Sequence, residues 1–460
     1  MNLDFKNIKN IYFLGIGGIG MSALARYSKI SGKNVAGYDL TETVLTHQLT
    51  EEGINIHYIE DINQFPITFN NSDTLIVRTP AVPDNHSEFI FLQKNNYQIV
   101  KRSELLGFLT SNRKCIAVSG THGKTSVTTM LTLLLKESGI DTGAFLGGIS
   151  RNFNSNLVLP ENPDSLVVTE ADEYDRSFLQ LFPSVAVITS IDADHLDIYG
   201  DYKSVFEAFH QFISNVPDEG TVLYKKGIGV DTTRFVNKRF FTYSTREEAD
   251  FYTRNVEIIN GAYQFDIVTP DTIIKEVRFN YPGRVNVENI LAASSAALLA
   301  GADPERIKEA ASKYQGVQRR FDICFRSNSK LYIDDYAHHP EEIRATIESV
   351  KELYPGKKIL GVFQPHLYSR TKDFVDEFAG SLDLLDEVIL MDIYPAREIP
   401  IPGVTSEIIA EKMKIKNKGV VKAENLISAL KEREFDILIT MGAGNIDKYI
   451  NPICEMLGNQ

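Results

Sequence analysis

The residues best suited to chemistry in this chain stand at 118–130, VSGTHGKTSVTTM. Gly120-Thr121-His122-Gly123-Lys124-Thr125 ends like a phosphate-binding loop, yet it is shorter than G-x-x-x-x-G-K-[ST], whose first glycine would fall at Val118. Lys124 is a compact cation suited to β- and γ-phosphate oxygens, and Thr125 offers a hydroxyl to Mg²⁺. Two acid clusters follow. Glu170, Asp172, Glu173 and Asp175 stand just past the apolar run 166–169, and Asp192, Asp194, His195 and Asp197 just past 185–189. Ligands bind beyond the carboxyl ends of parallel strands, so these carboxylates would face the Lys-Thr loop as a hard-oxygen site for Mg²⁺. A charge run is ordinarily a solvated loop. Two runs, both at strand ends and both after an ATP-type loop, favour a site. An imidazole is a less usual Mg²⁺ ligand, so His195 would mark a second or shared metal.

A second loop lies near the start. Gly15-Ile16-Gly17-Gly18-Ile19-Gly20 matches G-x-G-x-x-G between an apolar strand at 11–14 and a helical pattern. The glycines let a backbone approach a pyrophosphate, and the helix start supplies N–H donors. Asp39, about twenty residues on, stands where an acid holds a ribose hydroxyl. The motif alone leaves NAD, FAD and a UDP-sugar open. Toward the far end, KLYIDDYAHHPEEI reads as a strand ending at Asp334-Asp335 and a helix opened by Pro340 with Glu341 and Glu342 in its first turn. KKILGVFQPHLYSRT delivers Gln364, His366 and Arg370 to a sheet edge, and EVILMDIYPAREIPIPG delivers Tyr394 and Arg397. Arg370 could hold a carboxylate by two parallel hydrogen bonds. No pair of histidines has helical metal spacing, so a zinc site is not expected.

One unit positions all of these groups: an apolar strand, a glycine-rich turn and a helical pattern, met at 11–32, 115–139 and 436–450. Strands alternating with helices imply parallel sheets. Val127, Met130, Leu131, Leu134 and Leu135 make one helical face, with Gly139 as the stop. The expected fold class is therefore α/β in three domains: a Rossmann-like N-terminal domain at 1–107, a central P-loop ATPase-type domain with a mainly parallel sheet at 108–316, and a Rossmann-like C-terminal domain at 317–460. SELLGFLTSNRK and YQGVQRRFD read as the connections. The 460 residues carry a net charge of -13 and 43% apolar residues, an acidic globular balance that argues against nucleic-acid or anionic-membrane partners. No signal peptide or transmembrane run is read, and three scattered cysteines fit neither a disulfide framework nor a zinc site. A cytoplasmic protein, monomeric or weakly dimeric, is the expectation.

GTHGKT, EADE and DADH in this order resemble the central domain of the Mur ligases, which build the stem peptide of the peptidoglycan precursor. That family uses the short loop G-T-x-G-K-T/S, which accounts for Val118. The resemblance spans the chain: GIGGIGMSALA is similar to the family's UDP-binding loop, NVEN to its asparagine-bearing helix start, GVQRRFD to its domain-joining arginine motif, and DDYAHHPEEI to its acid-histidine motif. FQPHLYSRTKDF and DIYPAREIPIPGV resemble the member that adds L-alanine. One departure stands at Gly283-Arg284-Val285-Asn286, where the family text is Gly-Arg-His-Asn; the ring is lost at 285, while Asn286 and Asn289 remain.

The resemblance implies ATP-dependent joining of L-alanine to the carboxylate of UDP-N-acetylmuramate through an acyl phosphate, with Mg²⁺ or Mn²⁺. A carboxylate is a poor electrophile, and phosphorylation gives it a leaving group; that step runs on positioning and charge neutralisation. The implied roles are as follows. Lys124, Glu173 and His195 are catalytic, and Thr125, Glu173 and His195 hold metal. Gly120, Thr121, His122, Gly123, Lys124, Thr125, Ser126, Asn286, Asn289, Arg320 and Asp335 contact ATP. Gly15, Gly17, Gly18, Gly20, Met21, Ser22 and Asp39 hold the UDP-sugar, and His339, His366 and Arg370 orient alanine. For His338 and His339 the local alternative is a pair of turn residues satisfying backbone groups. The nearest rival function is a recycling ligase that attaches murein tripeptide to the same UDP-sugar. An NAD-dependent oxidoreductase would leave residues 118–197 unexplained, and a nonenzymatic nucleotide binder has no need of a second metal site.

Overall fold

The structure, a computed structural model, describes residues 5–111, 113–192, 196–259, 261–396 and 398–458. Three mainly parallel sheets carry the chain. The first has five strands in the order Asn55–His57, Asn34–Tyr38, Asn10–Leu14, Thr74–Arg78 and Gln98–Lys101, all parallel. Asn10–Leu14 is buried along its whole length; hence NIYFL is a nearly unbroken apolar run rather than an alternating one. The chain departs from this strand to both sides, so a switch point falls at its carboxyl end, where residues 15–18 turn into the helix Ile19–Ile30.

The second sheet has ten strands. At its centre Cys115–Ser119 lies parallel between Val185–Ile188 and Leu166–Ala171. Thr142–Ser150 extends the parallel run beside Leu166–Ala171 and turns back as the antiparallel strand Ser155–Val158. Opposite, Thr221–Lys225, Arg239–Ser244 and Phe251–Ile259 follow in parallel, and Ala262–Val268 and Ile273–Phe279 complete the order. The helix Lys124–Glu137 buries Val127, Met130, Leu131, Leu134 and Leu135, the face read from its spacing, and Gly139 beyond it takes φ +78.

The third sheet runs Asp322–Arg326, Leu331–Asp335, Ile437–Met441, Ile359–Phe363, Glu387–Met391, Lys418–Val421; its first pair is antiparallel and the rest parallel. The fold is thus α/β with parallel-dominant sheets, as its strand–loop–helix units require.

Two compact units divide the chain: residues 1–256, 265–278 and 288–314 in one, and 257–264, 279–287 and 315–460 in the other. The five-stranded sheet and most of the ten-stranded sheet belong to the first unit, and residues 257–259, 262–264 and 279 of the latter to the second. The stretch SELLGFLTSNRK, read as a connection, is largely helix, Arg102–Thr110, and buries Leu105, Leu106 and Leu109. Its Gly107 lies so close to Gln180 that a Cβ would stand 2.3 Å from the Gln180 carbonyl oxygen. A second contact fastens the Ile19–Ile30 helix to the hairpin of the ten-stranded sheet. Asn156, fully buried, donates to the Ile19 carbonyl at 2.6 Å and the Ser22 hydroxyl at 2.8 Å, and accepts from Arg26 at 2.5 Å. Among the described residues no helix is long and apolar enough to cross a membrane.

Candidate active site

Residues 120–123 turn from the carboxyl end of Cys115–Ser119 into the helix Lys124–Glu137. Two glycines make the turn possible. Gly120 has φ +138, and a Cβ on it would stand 2.1 Å from Thr189 Oγ1; Gly123 has φ +84, and its Cβ would stand 2.8 Å from Asn289 Oδ1. The first contact fixes the loop against the neighbouring strand end, and the second brings Asn289 to the loop. Side-chain hydroxyls complete the frame. Thr189 Oγ1 donates to the His122 carbonyl at 2.5 Å, the His122 amide donates to Ser190 Oγ at 2.9 Å, and Thr121 Oγ1 lies 2.8 Å from Ser190 Oγ and donates to Asp192 at 3.0 Å. Thr189 and Ser190 escape a motif search because a hydroxyl after a strand has no distinctive spacing. Gly123 supplies no side-chain cap to the helix, so the first-turn amides keep the donor character that suits an anion. Thr125 and Ser126 stand half-buried in that turn.

The acids separate by role. Lys124 Nζ donates to both oxygens of Glu173, at 2.9 and 2.8 Å, and to the Gly120 carbonyl at 2.7 Å. Glu173 is almost wholly buried and its backbone carbonyl accepts from Tyr199 at 2.6 Å. Burial works against the Lys124 charge, but the Glu173 and Asp172 carboxylates outweigh it and hold the ammonium above its ordinary value. Glu170 instead accepts from the Gly147 amide at 3.1 Å, Asp172 faces Arg102 at 3.4 Å, and Asp175 faces Lys101 at 3.0 Å. Of the EADEYD acids, Glu173 hydrogen-bonds the lysine of the 120–125 loop. His195 and Asp194 lie outside the described residues, as does the side chain of Asp197; among the described residues no cluster of three or more His, Cys, Asp or Glu could hold a metal alone.

At the first sheet, the Gly17 amide donates to Asp39 Oδ2 at 2.7 Å, so the predicted acid does face the glycine loop. Gly15 takes φ +85, and Gly18 is the uncapped start of Ile19–Ile30. Met21 and Ser22 are buried, and the Ser22 hydroxyl is held by Asn156; these two residues can serve a ligand through their backbone only.

The second unit brings a separate group together beyond the carboxyl ends of its sheet. His366 pairs with Tyr394 in a parallel bridge, their rings 5.9 Å apart, and the His338 ring stands 6.0 Å from that of His366. Leu367, at φ +69, turns the chain into the short helix that bears Arg370. His339 caps the helix Pro340–Leu353 by accepting from the Glu341 amide at 3.4 Å. Burial pushes His338 below the ordinary imidazole value, although Glu342 at 3.3 Å pulls it up. Asp335 accepts from Thr346 Oγ1 at 2.9 Å, the Ala337 amide at 3.0 Å and the Phe321 amide at 3.2 Å; burial pushes its carboxyl up to about 6 against the pull of Arg320. It shapes the turn around Arg320, whose guanidinium lies 5.1 Å from the Tyr336 ring centroid. Asn286 donates to the Pro282 carbonyl at 2.7 Å and is buried, whereas the neighbouring Val285 is exposed. Arg397 lies outside the described residues.

Three family models match the chain: the Mur ligase family catalytic domain at residues 10–114, the Mur ligase middle domain at 118–297, and the Mur ligase, glutamate ligase domain at 319–444. The UDP-N-acetylmuramate–L-alanine ligase of Parabacteroides distasonis is 46% identical over 459 residues, 100% of this chain and 99% of that one. Among solved structures, the UDP-N-acetylmuramate–alanine ligase of Thermotoga maritima matches with a TM-score of 0.84 and 27% identity, covering 98% of this chain and 99% of that chain. A murein peptide ligase of Psychrobacter arcticus shares the fold at a TM-score of 0.73 and 22% identity, with 98% and 99% covered.

Proposed function

The chain belongs to the Mur ligase family, and we propose that it joins L-alanine to the carboxylate of UDP-N-acetylmuramate, consuming ATP and releasing UDP-N-acetylmuramoyl-L-alanine, ADP and phosphate. The observation that carries this reading is identity of 46% along the whole chain to a ligase of that name. The family's phosphate chemistry agrees with the loop at 120–125. Its glycines leave no room for a Cβ, its helix start is uncapped, and its lysine is half-buried and cationic.

The Lys124–Glu173 pair acts as a placeholder in this account. Its two partners are the two groups a Mg²⁺-nucleotide needs. With Mg-ATP bound, phosphate oxygens would take the place of Glu173 as acceptors for Lys124, and Glu173 and the Thr125 hydroxyl would hold the divalent cation, which would supply charge neutralisation. The exchange matters energetically because a buried charge without a counter-charge costs several kcal/mol, roughly 3–5. The donor set fits Mg²⁺ or Mn²⁺, hard cations that take one or two protein oxygens and fill the remaining positions with phosphate and water. A bound divalent cation would offset the repulsion between phosphate and carboxylate. We assign His195 to the cation nearer the substrate. Asn289 lies against Gly123 and would reach the nucleotide from there; the ATP-contacting role of Asn286, Arg320 and Asp335 is proposed on the family pattern alone. Residues 15–22 and Asp39 would hold the UDP-sugar. In the second unit Arg370 would take the alanine carboxylate, with His339 and His366 beside it to orient the amine.

The test is product formation. Purified protein is given Mg-ATP and UDP-N-acetylmuramate with either L-alanine or the murein tripeptide, and the products are weighed by mass spectrometry. We expect the alanyl product with L-alanine. A product only with tripeptide would transfer the protein to the recycling reaction.

A further inference from the structure

Gly20 is the last glycine of G-x-G-x-x-G, and an arginine side chain lies against it. A Cβ on Gly20 would stand 2.8 Å from Arg102 Nη1, 3.2 Å from its Cδ and 3.4 Å from its Cζ. The guanidinium therefore lies against the first turn of Ile19–Ile30. Arg102 emerges where the strand Gln98–Lys101 ends, at the same edge of the five-stranded parallel sheet as the glycine loop. The side chain is 23% exposed, and its one hydrogen bond among the described residues is Nη2 to Asp172 Oδ2 at 3.4 Å, the long end of the useful range. A guanidinium has five N–H donors in a rigid fork, and a partly exposed one keeps donors within reach of a ligand. Nearby charges leave it available: Lys101 is drawn to Asp175 at 3.0 Å, and Asp172 also accepts from the Tyr174 amide at 3.2 Å. A planar fork with donors in reserve, held against an uncapped helix start, suits a diphosphate better than a single phosphate, since two adjacent phosphate groups present parallel acceptors.

We propose that Arg102 is a substrate-binding residue that grips the diphosphate of the nucleotide-sugar against the first turn of Ile19–Ile30, with Asp172 as the counter-charge that aims it. This rests on the UDP-sugar reading of the glycine loop. Because Asp172 adjoins Glu173, the grip also ties the sugar nucleotide's seat to the acid that meets Lys124.

Binding of UDP, UMP and Mg-ATP to the full chain is measured by calorimetry for the wild type, Arg102→Met and Arg102→Lys. The wild type should prefer UDP to UMP. In Arg102→Met the UDP affinity should fall roughly ten- to hundredfold, as expected for losing charge-assisted bonds, while UMP and Mg-ATP affinities change little. Lysine should restore part of the loss, because it returns the charge without the fork. A merely structural role would weaken UMP and UDP together, and that result overturns the proposal, as does undiminished UDP binding by Arg102→Met. A wild type that binds neither UDP nor UMP would remove the UDP-sugar reading and this proposal with it. Unchanged Mg-ATP binding by the variant separates either result from misfolding.

Discussion

At the scale of single residues, the proposed roles of Lys124 and Glu173 would have one pair serve stability and chemistry in opposite senses. Removing Lys124 alone leaves Glu173 buried without its cation. Lys124→Ala should therefore lower unfolding free energy by about 3–5 kcal/mol and reduce ligation by two to three orders of magnitude or more, roughly, while UDP binding persists. Lys124→Met with Glu173→Gln should recover most of the stability in urea denaturation and none of the activity. Recovery of activity would show that the pair is structural only.

A second residue network is legible through its protons. His57 Nδ1 lies 2.9 Å from the Ile59 carbonyl, His57 Nε2 lies 2.7 Å from the Tyr12 hydroxyl, and that hydroxyl lies 2.6 Å from Glu88 Oε2. A carbonyl only accepts, so Nδ1 carries a proton, and one further proton is shared along the chain from Nε2 to Glu88. Burial pushes the Glu88 carboxyl up to about 7. His86, Tyr38 and Glu60 stand around the same cluster; burial first, then Arg78, pushes His86 down against the pull of Glu60, and burial also pushes His57 down. The folded state thus keeps a proton on Glu88 that the unfolded chain releases near 4.5. Its contribution is complete below that value and is lost as pH rises to about 7. Glu88→Gln cannot lose the proton, so its stability relative to wild type should rise by about 1–3 kcal/mol between pH 5 and pH 8, read from urea unfolding at each pH. A constant difference between the two proteins would contradict the assignment.

At the scale of elements, the two glycine loops and the helices they open position the candidate ligand groups. Gly123→Ala forces a Cβ into φ +84 and toward Asn289. We expect about 1–2 kcal/mol of destabilisation and a loss of Mg-ATP affinity by calorimetry, with UDP binding retained. Asn156→Ala acts elsewhere: it withdraws partners from Ile19, Ser22 and Arg26, and should cost about 1–3 kcal/mol in urea unfolding. These two positions differ in how readable they are. The strand–loop–helix units at 115–137 and 10–30 follow from apolar runs, glycines and helical spacing, all local signals. Glu173 was legible as one of several acids, but its selection over Glu170, Asp172 and Asp175 came from contacts with Gly147, Arg102 and Lys101 that lie far apart in sequence. Asn156 and Arg102 gave no sequence signal, because a single polar residue in a hairpin or at a helix start has no period. The helix Arg102–Thr110 reads in sequence as a connection because its glycine and mixed composition weaken the apolar pattern.

At the scale of the whole molecule, three sheets built from repeats of one strand–loop–helix device hold three kinds of group. The first sheet presents a glycine loop with an acid facing it, the second a glycine-lysine loop paired with a buried glutamate, and the third a histidine–tyrosine–arginine cluster. Order along the chain was readable because each device is local; the division into two compact units depends on helix and hairpin packing that composition does not reveal. Function at this scale is coupling: ATP should be spent only when a carboxylate and an amine are both present. The most direct measurement uses UDP-N-acetylmuramate labelled with ¹⁸O in its carboxylate, together with Mg-ATP, and follows released phosphate with and without L-alanine by mass spectrometry. Ligation through an acyl phosphate predicts release that depends on L-alanine, with one labelled oxygen carried into the phosphate. Release that ignores L-alanine, or phosphate free of label, would contradict it.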